Sequence, residues 1–247
     1  MEIRSLYKSY QVSDRTISVL HDLNLHLDDH AITVILGRSG CGKTTLLRLI
    51  SDLEKPDRGE IEGCGNTGII FQEPRLMPWL NVIDNVLFGL PKQERKQKGD
   101  HPKLRHLMEL TGLMGFEKAF PAQLSGGMQQ RTALARALAY EPEYLLMDEP
   151  FAALDHFTRK QMQEELLKIH REEKKGVLFV THSIDEALTL AKKVIILENG
   201  TCKKEYVLDD DPYPRNLLDQ TLVELKKDII EQIGIDSYSD RFLSDHC

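Results

Sequence analysis

Hydrophobic residues along this chain occur in short runs of two kinds. Residues 31–36, 68–71, 144–147, 177–180 and 194–197 form nearly uninterrupted apolar blocks rich in Val, Ile and Leu. A strand reads this way when both its faces are buried, as in a parallel sheet covered by helices. Ile17-Ser18-Val19-Leu20 and Leu23-Asn24-Leu25-His26-Leu27 instead alternate apolar and polar positions, the period of a strand with one solvated face. Residues 45–50 and 126–139 carry helix formers, so a helix follows the first apolar block and another precedes the block at 144.

Between about residues 73 and 140 the chain turns richer in helix formers, prolines and charge, and reads as an inserted helical lobe. Its basic polar run at 92–106, punctuated by Pro91, Gly99 and Pro102, is expected to be a solvated loop. Near the C-terminus Leu222, Leu225, Ile229, Ile230 and Ile233 share one helical face, which predicts a short amphipathic helix docked on the core.

Composition narrows the function. A chain of 247 residues builds a core without disulfides or structural metal. The formal net charge is −7, so the basic field of a nucleic-acid binder is missing and no nucleic-acid partner is expected. Cys41, Cys64, Cys202 and Cys247 show no zinc-ligand spacing, which suggests a reducing, cytosolic setting. No apolar stretch approaches the roughly 18 residues of a membrane span, and the start Met1-Glu2-Ile3-Arg4 does not read as a secretory signal. Any membrane association is therefore expected to come through a partner.

The chemistry begins between the first apolar block and its helix. Gly37-Arg38-Ser39-Gly40-Cys41-Gly42-Lys43-Thr44 matches GxxxxGK[ST] at a strand-to-helix turn. Backbone N–H groups of such a loop, running into the helix at Thr45, cradle a polyphosphate. Lys43 reaches the β/γ oxygens and the Thr44 hydroxyl ligates Mg²⁺. A second carboxylate strand is needed, and Asp148 and Glu149 stand at the end of the block 144–147. Asp148 is the metal candidate and Glu149 the general base. The fold expected is α/β: a P-loop NTPase core with a mostly parallel sheet, an N-terminal antiparallel β subdomain and an inserted helical subdomain. Residues 1–200 are expected to form the nucleotide-binding domain, and 201–247 a short C-terminal extension.

Leu124-Ser125-Gly126-Gly127-Met128-Gln129 supplies a third element. Ser125 is an N-cap, and Gly126 and Gly127 open a helix whose N-terminus forms a second anion site. One chain already has its phosphate loop, so this site needs a nucleotide from elsewhere. Here the residues resemble the ATP-binding cassette (ABC) family, whose signature is LSGGQ, with Met128 in place of Gln as importer branches allow.

The resemblance covers roughly residues 3–200. It implies ATP and Mg²⁺ as cofactors, and a head-to-tail pair of this chain in which Ser125, Gly126, Gly127 and Gln129 close over the partner's ATP. It also implies a Q-loop glutamine at Gln72, touching Mg²⁺ and the attacking water, an interface-crossing loop at Leu154-Asp155 and a switch histidine at His182. Tyr10 corresponds to the adenine-stacking aromatic, with Tyr7 as the other register. Pro78-Trp79-Leu80-Asn81-Val82 and Phe151-Ala152-Ala153-Leu154-Asp155, with Phe157-Thr158-Arg159, are similar to ATPase subunits of nitrate, sulfonate, taurine, bicarbonate and thiamine-precursor importers. The segment between Gly59 and Gly68 is shorter than in that branch. The branch implies a separate membrane permease, a solute-binding receptor and a place on the inner face of the cell membrane. An ABC ATPase that moves no solute, such as an assembly or cell-division factor, stays open as the alternative.

Overall fold

The computed structural model describes residues 1–91, 102–208 and 215–234. Two sheets organise them. Strands β1 (Glu2–Val12), β2 (Arg15–His26) and β4 (Arg58–Glu62) form an antiparallel sheet in the order β2-β1-β4. A six-stranded sheet runs β5-β6-β7-β3-β8-β9, from β3 (Ile32–Leu36), β5 (Thr67–Ile70), β6 (Tyr144–Asp148), β7 (Gly176–Thr181), β8 (Lys193–Glu198) and β9 (Thr201–Val207). All its pairings are parallel except β8 with β9.

The uninterrupted apolar blocks divide by parity. Val34, Leu36, Leu145, Met147, Val177, Phe179, Val194 and Ile196 enter one core cluster, while Ile35, Tyr144, Leu146, Leu178, Val180, Ile195 and Leu197 enter a second. Successive side chains point to opposite faces, so a strand apolar at every position joins two cores. The first cluster lies under the helices. The second packs on helix α1 (Lys43–Ile50) and on Ile3, Leu6, Leu20, Leu23 and Leu25 of the antiparallel sheet. In β2 the buried parity shifts between Leu20 and Leu23, where Asp22 has φ 44° and the register with β1 slips. A bulge there keeps both halves of the strand facing the core.

Between β5 and β6 lie helices α2 (Val82–Val86), α3 (Pro102–Leu110) and α4 (Gly126–Ala139), with a 3-10 turn at Pro121–Gln123. The expected loop at 92–106 is corrected in part: 102–106 is the start of α3, and 92–101 lie outside the described residues. Proline is favoured in a first turn, and Leu104 and Leu107 are buried on the core side, an apolar stripe that the neighbouring charges obscure in sequence. Helices α5 (His156–Glu173), α6 (Ile184–Leu190) and α7 (Gln220–Ile233) complete the fold. α7 docks on the core as its stripe predicts, with Ile229 and Ile233 buried and Leu222, Leu225 and Ile230 packed alongside. The sheet runs on past residue 200, because β9 pairs with β8.

Candidate nucleotide site

The phosphate-loop, carboxylate, glutamine and histidine candidates stand at the carboxyl ends of four adjacent parallel strands. Gln72 follows β5, Asp148 and Glu149 end β6, Thr181 and His182 end β7, and the glycine loop follows β3. Register pairs Ile70 with Met147, Asp148 with Val180 and Leu36 with Thr181, so all four ends lie at one level. In open α/β sheets ligands bind at this edge.

The loop is built for an anion. Gly42, the N-cap of α1, has φ 107°, a conformation that side-chain-bearing residues rarely adopt. No side chain caps α1 and no acidic residue stands in its first turn, so its leading N–H groups are left for a ligand. Lys43 is 7% exposed. Its ammonium donates to Gly37 O at 2.7 Å and Arg38 O at 3.0 Å, with Cys41 Sγ at 3.9 Å. Carbonyls alone do not neutralise a buried cation, so the charge favours an incoming phosphate. Arg38, Ser39 and Gly40 are exposed on the loop's outer side, and the Arg38 guanidinium donates to the Gly234 carbonyl at the end of α7.

Thr44 Oγ1 donates to Asp148 Oδ1 at 3.3 Å. Burial raises the Asp148 carboxyl above its usual value, with the Thr44 bond opposing. A desolvated carboxylate beside an exposed hydroxyl is a donor set for a hard cation, and so these residues fit Mg²⁺ as well as the loop fits ATP.

Glu149 turns sharply out of β6 with φ 46°, a conformation that costs a non-glycine residue about 1–3 kcal/mol and clusters at functional sites. Its N–H donates to Val180 O at 2.9 Å, and its Oε2 meets His182 Nδ1 at 2.9 Å. His182 is two-thirds exposed, with 66% of its side chain open. The structure thus joins the proposed base and the proposed switch histidine, which lie far apart in sequence.

Gln72 is exposed, and its flanks are held by α4. Gln130 Nε2 donates to Phe71 O at 3.4 Å, and Arg136 donates to Pro74 O at 2.8 Å and Arg75 O at 2.9 Å. Neither residue belongs to a motif that marks it for this contact. The signal for Arg136 was a lone cation in the otherwise apolar run 133–139, where an arginine has to be spent on carbonyls.

Ser125 Oγ accepts from Met128 N at 3.3 Å and caps α4 as its sequence predicts. Ser125 and Gly126 are exposed and Gly127 is buried. The Gln129 amide donates to Pro121 O at 3.1 Å and Leu124 O at 3.3 Å, so in this conformation it braces the preceding turn. α4 is tied to α5 by Arg131 and Glu165 at 2.5 Å. Tyr10 pairs with Ile17 across the β1–β2 hairpin. Its hydroxyl donates to Glu54 and neighbours Thr45 of α1, whereas Tyr7 pairs with Arg58 of β4.

A family model described as ABC transporter matches residues 20–152. An aliphatic sulfonates import ATP-binding protein of Bacillus cereus is 39% identical over 241 residues, spanning 94% of this chain and 95% of that protein. A taurine import ATP-binding protein of Pseudomonas aeruginosa is 39% identical over 228 residues, spanning 89% of this chain and 87% of its own. Among solved structures, a dimeric ATP-binding cassette in a post-hydrolysis state bound to ADP and Pi superposes with a TM-score of 0.71 at 29% identity. It covers 85% of this chain and 99% of that one. Together with the phosphate loop, the carboxylate strand and the serine-capped helix in one chain, these matches place the protein: it belongs to the ABC transporter family, as an ATP-binding subunit that hydrolyses ATP with Mg²⁺ in the service of transport.

Proposed function

We propose that this chain is the ATPase subunit of an importer, working as a head-to-tail pair on the inner face of the cell membrane and driving a separate permease fed by a solute-binding receptor. The observation that carries the reading is the exposed, serine-capped terminus of α4 on a chain that already has its own phosphate loop. An anion held from both sides by two chains draws them together, and its hydrolysis lets them part.

In this reading Lys43 and the N–H groups of residues 37–45 hold the phosphates, and Tyr10 stacks on the adenine. Ser125, Gly126, Gly127 and Gln129 of the second copy close over the γ-phosphate. Glu149 accepts a proton from the attacking water while His182 orients it. Thr44, Asp148 and Gln72 would hold Mg²⁺, which would supply neutralisation of charge on the phosphate oxygens.

The permease contact is read from the helical lobe. Trp79 is 69% exposed and Phe88 42%, so Trp79 is not a core residue. Its loop is held rigid by the buried Asn85, whose amide donates to Met77 O, Leu80 O and Asn81 O at 3.2, 2.9 and 3.1 Å. A fixed apolar platform that faces solvent suits a helix of a membrane subunit. For the solute, the relatives named for aliphatic sulfonate and taurine import favour a small sulfonate anion over the other cargoes of the branch.

Affinity purification of the tagged chain from its native membranes tests this. A polytopic membrane protein is expected to co-purify, and the solute-loaded receptor is expected to stimulate ATP hydrolysis by the complex. Recovery of the chain with no membrane subunit would favour the assembly or cell-division alternative.

A further inference from the structure

We propose that Glu186, Thr181 and Arg159 are positioning residues that lock Glu149 and His182 into one unit; this rests on the reading of those two as base and switch histidine. Ser183-Ile184-Asp185-Glu186 has the S-x-x-E spacing of a capping box, and Ser183 Oγ accepts from Glu186 N at 3.3 Å. The reciprocal half of the box is rerouted. Ser183 N donates to Thr181 Oγ1 at 3.0 Å, and Thr181 Oγ1 donates to Glu186 Oε2 at 2.5 Å. The backbone of His182 is therefore enclosed between two residues of a hydrogen-bonded relay.

The other carboxylate oxygen faces across to α5. Glu186 Oε1 lies 3.7 Å from Arg159 Nε. Arg159 Nη2 donates to Leu154 O at 2.9 Å and its Nε to Phe151 O at 3.3 Å. Those carbonyls belong to the turn that begins at Glu149, whose own carbonyl accepts from Ala152 N at 3.2 Å. One buried carboxylate thus fastens the turn carrying the base to the turn carrying the histidine.

A cap alone does not call for this arrangement. Glu186 is 6% exposed, and its burial opposes ionisation, whereas a glutamate serving only a helix terminus sits at the surface with no such cost. The desolvation is offset by geometry that spans both turns. Arg159 and Glu186 also line a cleft of about 440 Å³ between α5 and α6, so conservative changes at Arg159 have room.

Steady-state kinetics and Mg·ATP affinity of the full chain test the inference. Thr181→Val keeps the shape and removes the hydroxyl, Thr181→Ser keeps the hydroxyl, Glu186→Gln removes the charge facing Arg159, and Arg159→Lys keeps a charge but loses the double carbonyl contact. For Val, Gln and Lys, kcat is expected to fall about ten- to a hundredfold, the cost of misplacing reacting groups by about 1 Å. KM and nucleotide affinity should stay within about twofold, and Thr181→Ser should recover most of the turnover. Wild-type kcat in Thr181→Val and Glu186→Gln would overturn the inference, as would equal losses in Val and Ser or losses confined to KM. Glu149→Gln, measured alongside, separates the two levels. Normal turnover there sinks the base assignment itself, while an inactive Glu149→Gln beside fully active positioning variants sinks only this inference.

Discussion

Gly127 packs the serine-capped terminus of α4 against the first turn of α5, and its replacement by alanine has a calculable outcome. A Cβ built at Gly127 stands 2.6 Å from Thr158 Cγ2, against about 3.5–4.0 Å for resting carbon contacts. Roughly 1 Å must therefore be found. Thr158 is badly placed to give it, because its Oγ1 donates to Asp155 Oδ2 at 2.6 Å and its N–H to Asp155 Oδ1 at 3.1 Å, the cap of α5. Overpacking of this kind costs about 1–3 kcal/mol. Alanine in place of a helical glycine returns at most about 1 kcal/mol, so Gly127→Ala should be neutral to about 2 kcal/mol destabilising. Thr158→Ser deletes Cγ2 and keeps the bonds to Asp155. A double-mutant cycle followed by equilibrium urea unfolding should then show about 1–3 kcal/mol of favourable coupling, with the pair more stable than Gly127→Ala alone. Coupling below about 0.5 kcal/mol, the level of independent sites, would mean that α4 and α5 do not meet here.

Lys43→Ala removes the ammonium proposed to face the phosphates and should weaken ATP binding by about one to two decades, from the roughly 1.5–3 kcal/mol of a charged hydrogen bond; wild-type affinity by titration calorimetry would refute the contact. Asp148→Asn should raise the melting temperature of the nucleotide- and metal-free chain at pH 7 while abolishing Mg²⁺-dependent binding. Burial holds the folded carboxyl above its unfolded value, so wild-type stability falls as pH rises from the unfolded pKa through the folded one, and the gap between the two proteins should close below the carboxylate range. Trp79→Ala should leave stability within about 0.5 kcal/mol, as for an exposed residue, leave hydrolysis by the isolated chain intact and abolish association with the membrane subunit; unchanged assembly would remove the docking assignment.

The buried sheet was legible because doubly buried strands leave continuous apolar blocks at 31–36, 144–147, 177–180 and 194–197. The phosphate loop and Ser125 cap were legible because glycines and a capping serine are dictated by backbone geometry within one turn. Less visible were features set by long-range contacts. The helix beginning at Pro102 sits in a run whose charges hide Leu104 and Leu107. The pairing of β9 with β8 carries the sheet beyond the point where the apolar blocks stop, because an edge strand alternates instead of running apolar. Arg136 has no motif of its own, and neither the capping-box spacing that ends at Glu186 nor the run Phe157-Thr158-Arg159 announces the contacts those side chains make. Each is a single charged residue whose role exists only through carbonyls and hydroxyls brought close by the fold.

In the proposed importer, ATP is clamped between two copies of this chain. Glu149→Gln should lower hydrolysis by about two to four decades, as for a lost general base, without loosening the phosphate contacts of Lys43. Light scattering on that variant, saturated with Mg·ATP, should report a dimer that dissolves when ADP replaces ATP. A strictly monomeric Glu149→Gln chain at saturating Mg·ATP would rule out the two-chain clamp.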